Sequence, residues 1–327
     1  MILLLGASGY IGRTFASELR RRGHSFIPLT RQAFDYTRFD FLFDYLRTMR
    51  PTFVINAASY GGNFTGEMAE RERDKMMAAN AILPQMIARV CLMTKTPWGH
   101  LSGSIFSGGK VQEKDSWSVV RELGKPEFLE LFERHPEKFR GFTELDEPNF
   151  SFHSPPCDFF GGTKALAEEA IRDLGHSYIW RLRLPFNERD EPCNWLCRMQ
   201  KEPLSDNINS YSHLEDCVKA CLDVWEMHAP FGIYNVVNPG AMTIRHMYEE
   251  LQHSLKLEAR PFVRPNPSES APQSNCILDV SKLLKTGIKL RPVSEAFEDC
   301  LDRLRLASRG AKHFDLSSSS SFLAATF

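Results

Sequence analysis

A glycine-rich turn near the start of the chain constrains the fold more than any other feature. Residues 6–12 read GASGYIG, directly after the apolar run 2–5 and directly before a stretch with helical spacing of apolar residues. In a strand–turn–helix unit of this kind, Gly6 permits the tight turn, Gly9 lets a pyrophosphate approach the backbone, and Gly12 lets the helix pack closely on the strand. The helix N-terminus also presents free N–H groups to an anion. The motif predicts a dinucleotide site rather than a purely structural turn, with contacts from Gly6, Ser8, Gly9, Tyr10, Ile11 and Gly12.

The order of predicted elements favours an α/β fold with a doubly wound parallel sheet of the Rossmann type. Continuous apolar strands alternate with amphipathic helices, which is typical of strands buried on both faces. We expect residues 1–184 to form mainly the dinucleotide-binding domain, and residues 185–305 mainly a smaller substrate-binding lobe whose strands return to the core. Strands are predicted over 2–5, 25–29, 53–56, 99–106, 177–184 and 233–237, and helices over 10–22, 39–49, 67–92, 164–174 and 214–225.

Two segments depart from this alternation. Residues 109–142 are charge-rich, and their aromatic and leucine residues have helix-compatible spacings. We interpret this stretch as an insertion outside the sheet, either a lid beside a site or an ordinary surface helical hairpin. Residues 308–327 contain a serine run and few patterned apolar residues, which predicts a disordered tail.

Charge and cysteine content argue against several classes of protein. The 327 residues include 40 Lys and Arg against 41 Asp and Glu, without the basic excess that a nucleic-acid partner requires. The closest cysteine pairs, 193/197 and 217/221, are four residues apart rather than in CxxC spacing, so we expect reduced thiols and no metal site. The first apolar run has no basic segment before it and is too short to span a bilayer, which predicts a cytoplasmic protein with no membrane partner.

The residues after the second predicted strand bear on the choice of dinucleotide. An acidic side chain there would hold the ribose 2′-OH of NAD, but this chain has Thr30 and Arg31. A guanidinium pairs well with a 2′-phosphate, so NADP is favoured over NAD as the cofactor. The alternative is that Arg31 is a solvated loop residue.

Further segments resemble the extended short-chain dehydrogenases/reductases of the NAD-dependent epimerase/dehydratase superfamily. The chain is similar above all to dTDP-4-dehydrorhamnose reductases and nucleotide-4-keto-6-deoxyglucose 3,5-epimerase/4-reductases, over most of residues 1–305. The resemblance implies cofactor contacts from Asn56, Ala57, Ala58, Lys164 and Pro185, and a homodimer paired through the helices at 67–92 and 164–174. It is carried, besides the glycine turn, by VINAA at 54–58, LSGSIF at 101–106, ELDEP at 144–148, PCDFFGGTK at 156–164, RLRLP at 181–185, YNVVNPG at 234–240 and the segment 271–279.

The resemblance also implies a catalytic set, from which this chain departs at one position. In that family a Ser or Thr, a Tyr and a Lys four residues after the Tyr move a proton while hydride passes to or from the nicotinamide. Ser102 matches the hydroxyl and Lys164 the lysine, but Phe160 stands at the tyrosine position and has no ionisable proton. Three interpretations remain: the tyrosine was replaced deliberately, another donor acts, or the protein binds cofactor without redox chemistry. Candidate donors, each also an ordinary site-lining residue, are Tyr60, Ser104, Cys157 and Asp158.

The resemblance further indicates a substrate and a reaction. Related epimerase/reductases carry a cysteine two residues after the catalytic hydroxyl, where this chain has Ser104, a poor base at neutral pH. We therefore favour an NADP-dependent 4-keto reductase acting on a nucleotide-linked sugar over an epimerase. The alternative is a non-catalytic NADP(H)-binding regulatory subunit of the same fold, which Phe160 favours, whereas the retained Ser102 and Lys164 favour the enzyme. Expected substrate contacts, of which the last two could also be core and solvated residues, are Tyr60, Ser102, Asn187, Trp195 and Arg198.

Overall fold

The computed structural model describes residues 1–61, 72–103, 105–263 and 275–311. Its strands are β1 (Ile2–Leu5), β2 (Phe26–Leu29), β3 (Phe53–Asn56), β4 (Trp98–Gly103), β5 (Gly109–Glu113), β6 (Ser116–Val120), β7 (Phe139–Arg140), β8 (Ser177–Leu182), β9 (Pro185–Phe186), β10 (Ile208–Asn209), β11 (Ser212–His213), β12 (Gly232–Asn235) and β13 (Met242–Thr243). Its α-helices are α1 (Tyr10–Arg21), α2 (Phe39–Met49), α3 (Arg73–Met77), α4 (Leu83–Thr94), α5 (Pro126–Arg134), α6 (Phe159–Ile171), α7 (Trp195–Lys201), α8 (Leu214–Glu226), α9 (Ile244–Leu255), α10 (Ser281–Lys285) and α11 (Val293–Ala311).

A six-stranded parallel sheet forms the centre of the fold and confirms the predicted Rossmann-type architecture. The strand order is β12-β8-β4-β3-β1-β2, and every neighbouring pair runs parallel. Helices α1 and α8 cover one face, and α2, α4 and α6 cover the other. Because both faces are buried, the strands read as continuous apolar runs rather than as alternating patterns.

The helix that crosses the second face of the sheet changes its hydrogen-bonding pattern partway along. A π-helical segment, Ala78–Ile82, joins α3 to α4. Pro84 lies in the first turn of α4 and has no N–H to donate to the turn before it, which favours a wider turn at this point. The whole stretch Arg73–Thr94 is long and apolar enough to cross a membrane, yet half of its most apolar window is buried inside the fold. The predicted start of this helix at residue 67 lies outside the described residues.

The insertion forms a small antiparallel sheet of its own. Strands β5, β6 and β7 pair in the order β6-β5-β7, and α5 follows β6. The helical-hairpin interpretation was therefore wrong, because Trp117 lies in β6 and pairs with Gln112 of β5. Apolar side chains of this unit pack against Ile208 and Ile277 of the C-terminal half. The segment lies outside the main sheet, as predicted, and is held by non-local packing that local spacing does not reveal.

The C-terminal lobe has a separate apolar core beneath two short strand pairs. Side chains of α7, α9 and α11 surround Phe186 and Tyr211 there. Helix α11 extends to Ala311, and the disordered tail expected from residue 308 stays a prediction. Buried residues Ala296, Phe297 and Cys300 continue a helical stripe that stabilises this helix against the lobe. The remainder of the tail, 312–327, lies outside the described residues.

Candidate active site

The predicted site residues meet at one edge of the parallel sheet. The glycine turn follows β1, residues 56–58 end and follow β3, Ser102 lies near the end of β4, and Pro185 follows β8. Since the carboxyl ends of parallel strands share one edge, the topology brings these four segments together. This edge is where ligands bind in open α/β sheets.

The glycine turn leaves no room for side chains at two of its glycines. Gly6 has a φ of 74°, and a Cβ there would lie 2.5 Å from the amide nitrogen of Ala58. A Cβ on Gly12 would collide with the carbonyl oxygen of Gly6. Gly9 is the extended N-cap of α1, and no side chain caps the helix N-terminus. The unpaired N–H groups of the first helical turn therefore form a cradle that fits a diphosphate.

Arg31 is exposed and follows β2, whose last residue is Leu29. Burial raises the pKa of the Tyr36 phenol, while the positive charge of Arg31 and a hydrogen bond with the backbone of Gly6 oppose the rise. The guanidinium is thus close to the turn and exposed to solvent. A cation in this position fits a 2′-phosphate better than it fits a ribose hydroxyl.

Phe160 and Lys164 stand one above the other on α6. The Lys164 ammonium lies 5.7 Å from the centre of the Phe160 ring and donates a hydrogen bond to the Leu101 carbonyl oxygen at 3.2 Å. Burial lowers the pKa of Lys164 to about 8, although Glu168 opposes the change. Helix α6 begins at residue 159, before the predicted residue 164, because the Asp158 carboxylate caps it by accepting from the Gly161 amide at 2.5 Å.

The Ser102 hydroxyl takes part in a buried ion-pair network. It donates to Glu168 Oε1 at 2.5 Å, and Glu168 in turn accepts from Arg181 Nε and Nη2 at 3.0 and 2.7 Å. All three side chains are almost fully buried. Glu168 lies one helical turn after Lys164, so the network fixes both the hydroxyl and the helix that carries the lysine. Sequence reasoning missed Glu168 and Arg181, although charged residues inside apolar elements were a usable signal.

Two buried polar residues behind the site were also missed. His100 Nδ1 lies 3.1 Å from the side-chain nitrogen Nδ2 of Asn56, and burial together with the charge of Lys164 lowers the pKa of His100 well below its usual range. Asn80, in the π-helical segment, makes two hydrogen bonds of 2.8 Å to the backbone of Tyr60 and so orders the loop after β3. These contacts order residues 56–60, of which Ala57 and Ala58 lie close to Gly6.

The alternative proton donors have different surroundings. Asp158 is occupied as the cap of α6, and burial raises its pKa. Burial also raises the pKa of Cys157, and a hydrogen bond with Glu72 raises that of Tyr60. Ser104 lies outside the described residues. Proton donation by any of these four stays a prediction.

The expected substrate residues after β8 lie in the C-terminal half. Asn187 is fully buried, accepts from the Tyr10 hydroxyl at 2.8 Å and donates to Glu215 at 3.0 Å. Trp195 is partly buried against the lobe core, with the Arg198 guanidinium 5.5 Å from its ring. Arg198 also pairs at 2.8 Å with the carboxylate of Glu202, the C-cap of α7. Asn187 thus links the glycine-turn helix to the lobe, and contact of these residues with a substrate stays a prediction.

Known proteins resemble the chain over nearly its whole described length. The family model described as RmlD substrate binding domain matches residues 1–306. A trifunctional UDP-glucose 4,6-dehydratase/UDP-4-keto-6-deoxy-D-glucose 3,5-epimerase/UDP-4-keto-L-rhamnose-reductase of Arabidopsis thaliana is 25% identical over 308 residues, which cover 90% of this chain but only 40% of that protein. The chain therefore spans about two fifths of the length of this relative. A dTDP-4-dehydrorhamnose reductase of Mycolicibacterium smegmatis is 22% identical over 317 residues, covering 92% of this chain and 84% of the relative.

Solved structures share the fold at low sequence identity. The L780 UDP-rhamnose synthase of Acanthamoeba polyphaga mimivirus has a TM-score of 0.74 at 16% identity, over 92% of this chain and 98% of that one. A dTDP-4-dehydrorhamnose reductase of Bacillus anthracis, solved in complex with NADP, has a TM-score of 0.67 at 18% identity, over 94% and 97% of the two chains. The likeness extends across both the sheet and the C-terminal lobe.

Proposed function

Because the chain belongs to the RmlD substrate-binding domain family, we propose that it is an NADP(H)-dependent reductase of the 4-keto group of a nucleotide-linked sugar. The Mycolicibacterium smegmatis relative is a dTDP-4-dehydrorhamnose reductase, and the Bacillus anthracis neighbour binds NADP. The observation that carries the proposal is the glycine cradle with a buried lysine and a serine at the same sheet edge. These are the parts that hold a nicotinamide dinucleotide beside a carbonyl substrate.

The cofactor would lie across the carboxyl edge of the sheet. The N–H groups at the start of α1 would bind its diphosphate, and Arg31 would pair with a 2′-phosphate. Lys164 would hold the nicotinamide ribose, and residues 56–58 and Pro185 would line the path between these ends. Bound NADPH supplies the hydride that reduces the C4 carbonyl.

The proton for the C4 oxygen needs a donor other than a phenol at position 160. We assign this role to Lys164, whose pKa burial lowers to about 8. At pH 7 the ammonium is still mostly protonated, yet it is a stronger acid than a solvated lysine. Ser102 would position the carbonyl oxygen, with its own hydroxyl oriented by Glu168. Because Phe160 adds no ionisable group, this reductase should be slow compared with one that carries a tyrosine.

Two further properties belong to the same proposal. We place the protein in the cytoplasm and expect a homodimer. The helical stretch 67–92, which the family resemblance assigns to pairing, exposes the apolar side chains of Ile82 and Leu92, each more than half exposed. A reduction without epimerisation fits the serine at position 104, which offers a weak base.

A non-catalytic role is the second candidate, and Phe160 is the observation that favours it. A protein that only senses NADP(H) needs the glycine cradle and Arg31 but no proton donor beside the nicotinamide. Such a regulatory subunit would bind the dinucleotide without consuming it.

The test compares the chain with its Phe160→Tyr variant. Phe159→Tyr, at the preceding position of α6, is the matched control. NADPH affinity is measured first, and NADPH absorbance is then followed with UDP- and dTDP-linked 4-keto-6-deoxy sugars. We expect slow turnover by the parent and an increase in kcat of about 10²–10⁴-fold in Phe160→Tyr, the usual contribution of a positioned acid. The control should behave as the parent. Tight NADPH binding without turnover by either protein would support the regulatory role, and failure to bind NADPH would refute both candidates.

A further inference from the structure

Three side chains near the start of α8 point unpaired polar atoms at one another. Glu188, His213 and Glu215 each offer one metal-ligating atom, and these atoms all lie within 4.8 Å of one another. Glu188 Oε2, His213 Nε2 and Glu215 Oε2 are buried and have no hydrogen-bond partner among the described residues. The His213 side chain is only 1% exposed, and its Nε2 lies 3.7 Å from Glu215 Oε2, too far for a hydrogen bond.

Such an arrangement is unfavourable unless something satisfies it. Buried acceptor atoms without donors cost free energy, and two carboxylates that face one another add electrostatic repulsion. Here the polar atoms of two carboxylates and one imidazole converge, which is the donor set of a cation site rather than of a hydrogen-bonded core.

The surroundings of His213 have the form of a metal-ligand outer shell. Its Nδ1 lies 3.3 Å from Asp216 Oδ2, and Asp216 is itself fixed by Arg291 at 2.7 Å and by Asn238 at 3.0 Å. Arg291 Nη2 also approaches Nδ1, at 3.4 Å. A metal-bound histidine commonly donates its second ring N–H to a carboxylate, which fixes the tautomer. A guanidinium can only donate, so Arg291 cannot hydrogen-bond a protonated Nδ1, and its nearer acceptor is Asp216 Oδ2 at 2.7 Å. In the tautomer that donates Nδ1–H to Asp216, the lone pair of Nε2 is directed at the two glutamates.

The two glutamates also have partners on the carboxylate oxygens that are not directed at the cluster. Glu215 Oε1 accepts from Asn187 at 3.0 Å and from Arg189 at 3.2 Å, which leaves Oε2 for a ligand. Arg303 approaches Glu188 at 3.9 Å and balances part of its charge from the far side. The pairing of His213 with Phe186 across β9 and β11 brings the segment after β9 next to the start of α8.

We propose that Glu188, His213 and Glu215 bind one divalent transition-metal cation, of the Zn²⁺ or Mn²⁺ kind, with solvent completing its coordination. One imidazole and two carboxylates suit these ions better than they suit a hard cation such as Ca²⁺, which prefers a larger set of oxygen ligands. The ion would join the segment after β9 to the N-terminus of α8 and would be structural. None of its three ligands has a role in the proposed reduction, so this inference does not depend on the proposed function.

The first test measures metal content directly. The protein, without an affinity tag, is freed of bound metal with a chelator and dialysed against ZnCl₂ or, in a second sample, MnCl₂. Its metal content is then measured by elemental analysis. We expect one ion per chain, and we expect Glu188→Gln and His213→Gln to weaken binding by more than the roughly 10–100-fold that outer-shell changes produce. The matched controls, His246→Gln and Glu250→Gln, change exposed side chains of α9 and should bind as the parent.

A second measurement distinguishes a lost ligand from a damaged fold. Thermal unfolding is followed with and without the same ions. The parent should melt at a higher temperature when the ion is present, because an ion that binds only the folded state stabilises it. Glu188→Gln should show no such shift, and without metal it should be at least as stable as the parent because one of two facing charges is gone. If the parent binds no ion, or if Glu188→Gln and His213→Gln bind it as tightly as the parent, the site holds only water or a shared proton and the proposal is wrong.

Discussion

The buried ammonium of Lys164 makes the stability of the protein depend on pH in a direction that can be tested. Its side chain is 4% exposed, and burial lowers its pKa from 10.5 to about 8. Below pH 8 the lysine is charged in both the folded and the unfolded chain. The free energy of unfolding is therefore reduced by the full penalty of burying a charged group. As the pH rises above 8, the folded chain loses this proton first, and the folded state becomes relatively more stable.

The size of the effect follows from the shift. With pKa values of about 8 folded and 10.5 unfolded, proton linkage gives a gain of roughly 2 kcal/mol in the free energy of unfolding between about pH 7 and about pH 9.5. Buried cysteines and tyrosines with raised pKa values act in the opposite direction over the same range, so the comparison must be made against a variant. Lys164→Met removes the titration and leaves the other groups in place.

The assay is urea denaturation of the parent and of Lys164→Met at several pH values across this interval. We expect the stability of the parent to rise relative to the variant by roughly 2 kcal/mol, with most of the change above pH 8. If the free energy of unfolding changed with pH in the same way for both proteins, the lysine would have an ordinary pKa in the folded chain. The assignment of Lys164 as proton donor would then lose its basis, and kcat should in that case show no decline above pH 8.

Three further changes test other parts of the site. Gly12→Ala should weaken NADPH binding and lower stability by about 1–3 kcal/mol, since its Cβ meets the backbone of Gly6; unchanged NADPH affinity by fluorescence titration would contradict the cradle. Arg31→Ala should weaken NADPH about tenfold to hundredfold and leave NADH unaffected, as expected for a charge-assisted contact; equal losses for both dinucleotides would argue against a 2′-phosphate partner. Glu168→Gln should cost about 3–5 kcal/mol in urea denaturation because Arg181 keeps a buried charge without its partner; a loss below about 1 kcal/mol would mean that water solvates this pair.

The insertion shows where local spacing misleads. The aromatic residues at 117, 128 and 132 have intervals that suit one helical face, but the first belongs to a strand and the others to a helix. The turn at Lys114, which has a φ of 54°, reverses the chain and allows β5 and β6 to pair. Periodicity over so short a stretch does not distinguish a helix from a strand whose partner lies nearby.

The site was only partly visible in the sequence. Ser102 and Lys164 were identified by resemblance, and Phe160 was recognised as the departure from the tyrosine of that family. The partner of Ser102 was not foreseen, because Glu168 reaches the hydroxyl through packing of α6 on β4 rather than through any short spacing. Asn187, expected near the substrate, accepts a hydrogen bond from Tyr10 inside the fold, a long-range contact that no short spacing indicates.

The sequence alone determined the parallel sheet and the glycine turn before α1, because both depend on contiguous signals: apolar runs, helical periodicity and glycines within one turn. Only the tertiary structure decided which polar side chains share a site. Glu188, His213 and Glu215 come from two separate segments, and Ser102, Glu168 and Arg181 from three elements. Their proximity results from packing between elements distant in the chain, and each buried charge is stable only where that packing supplies a partner.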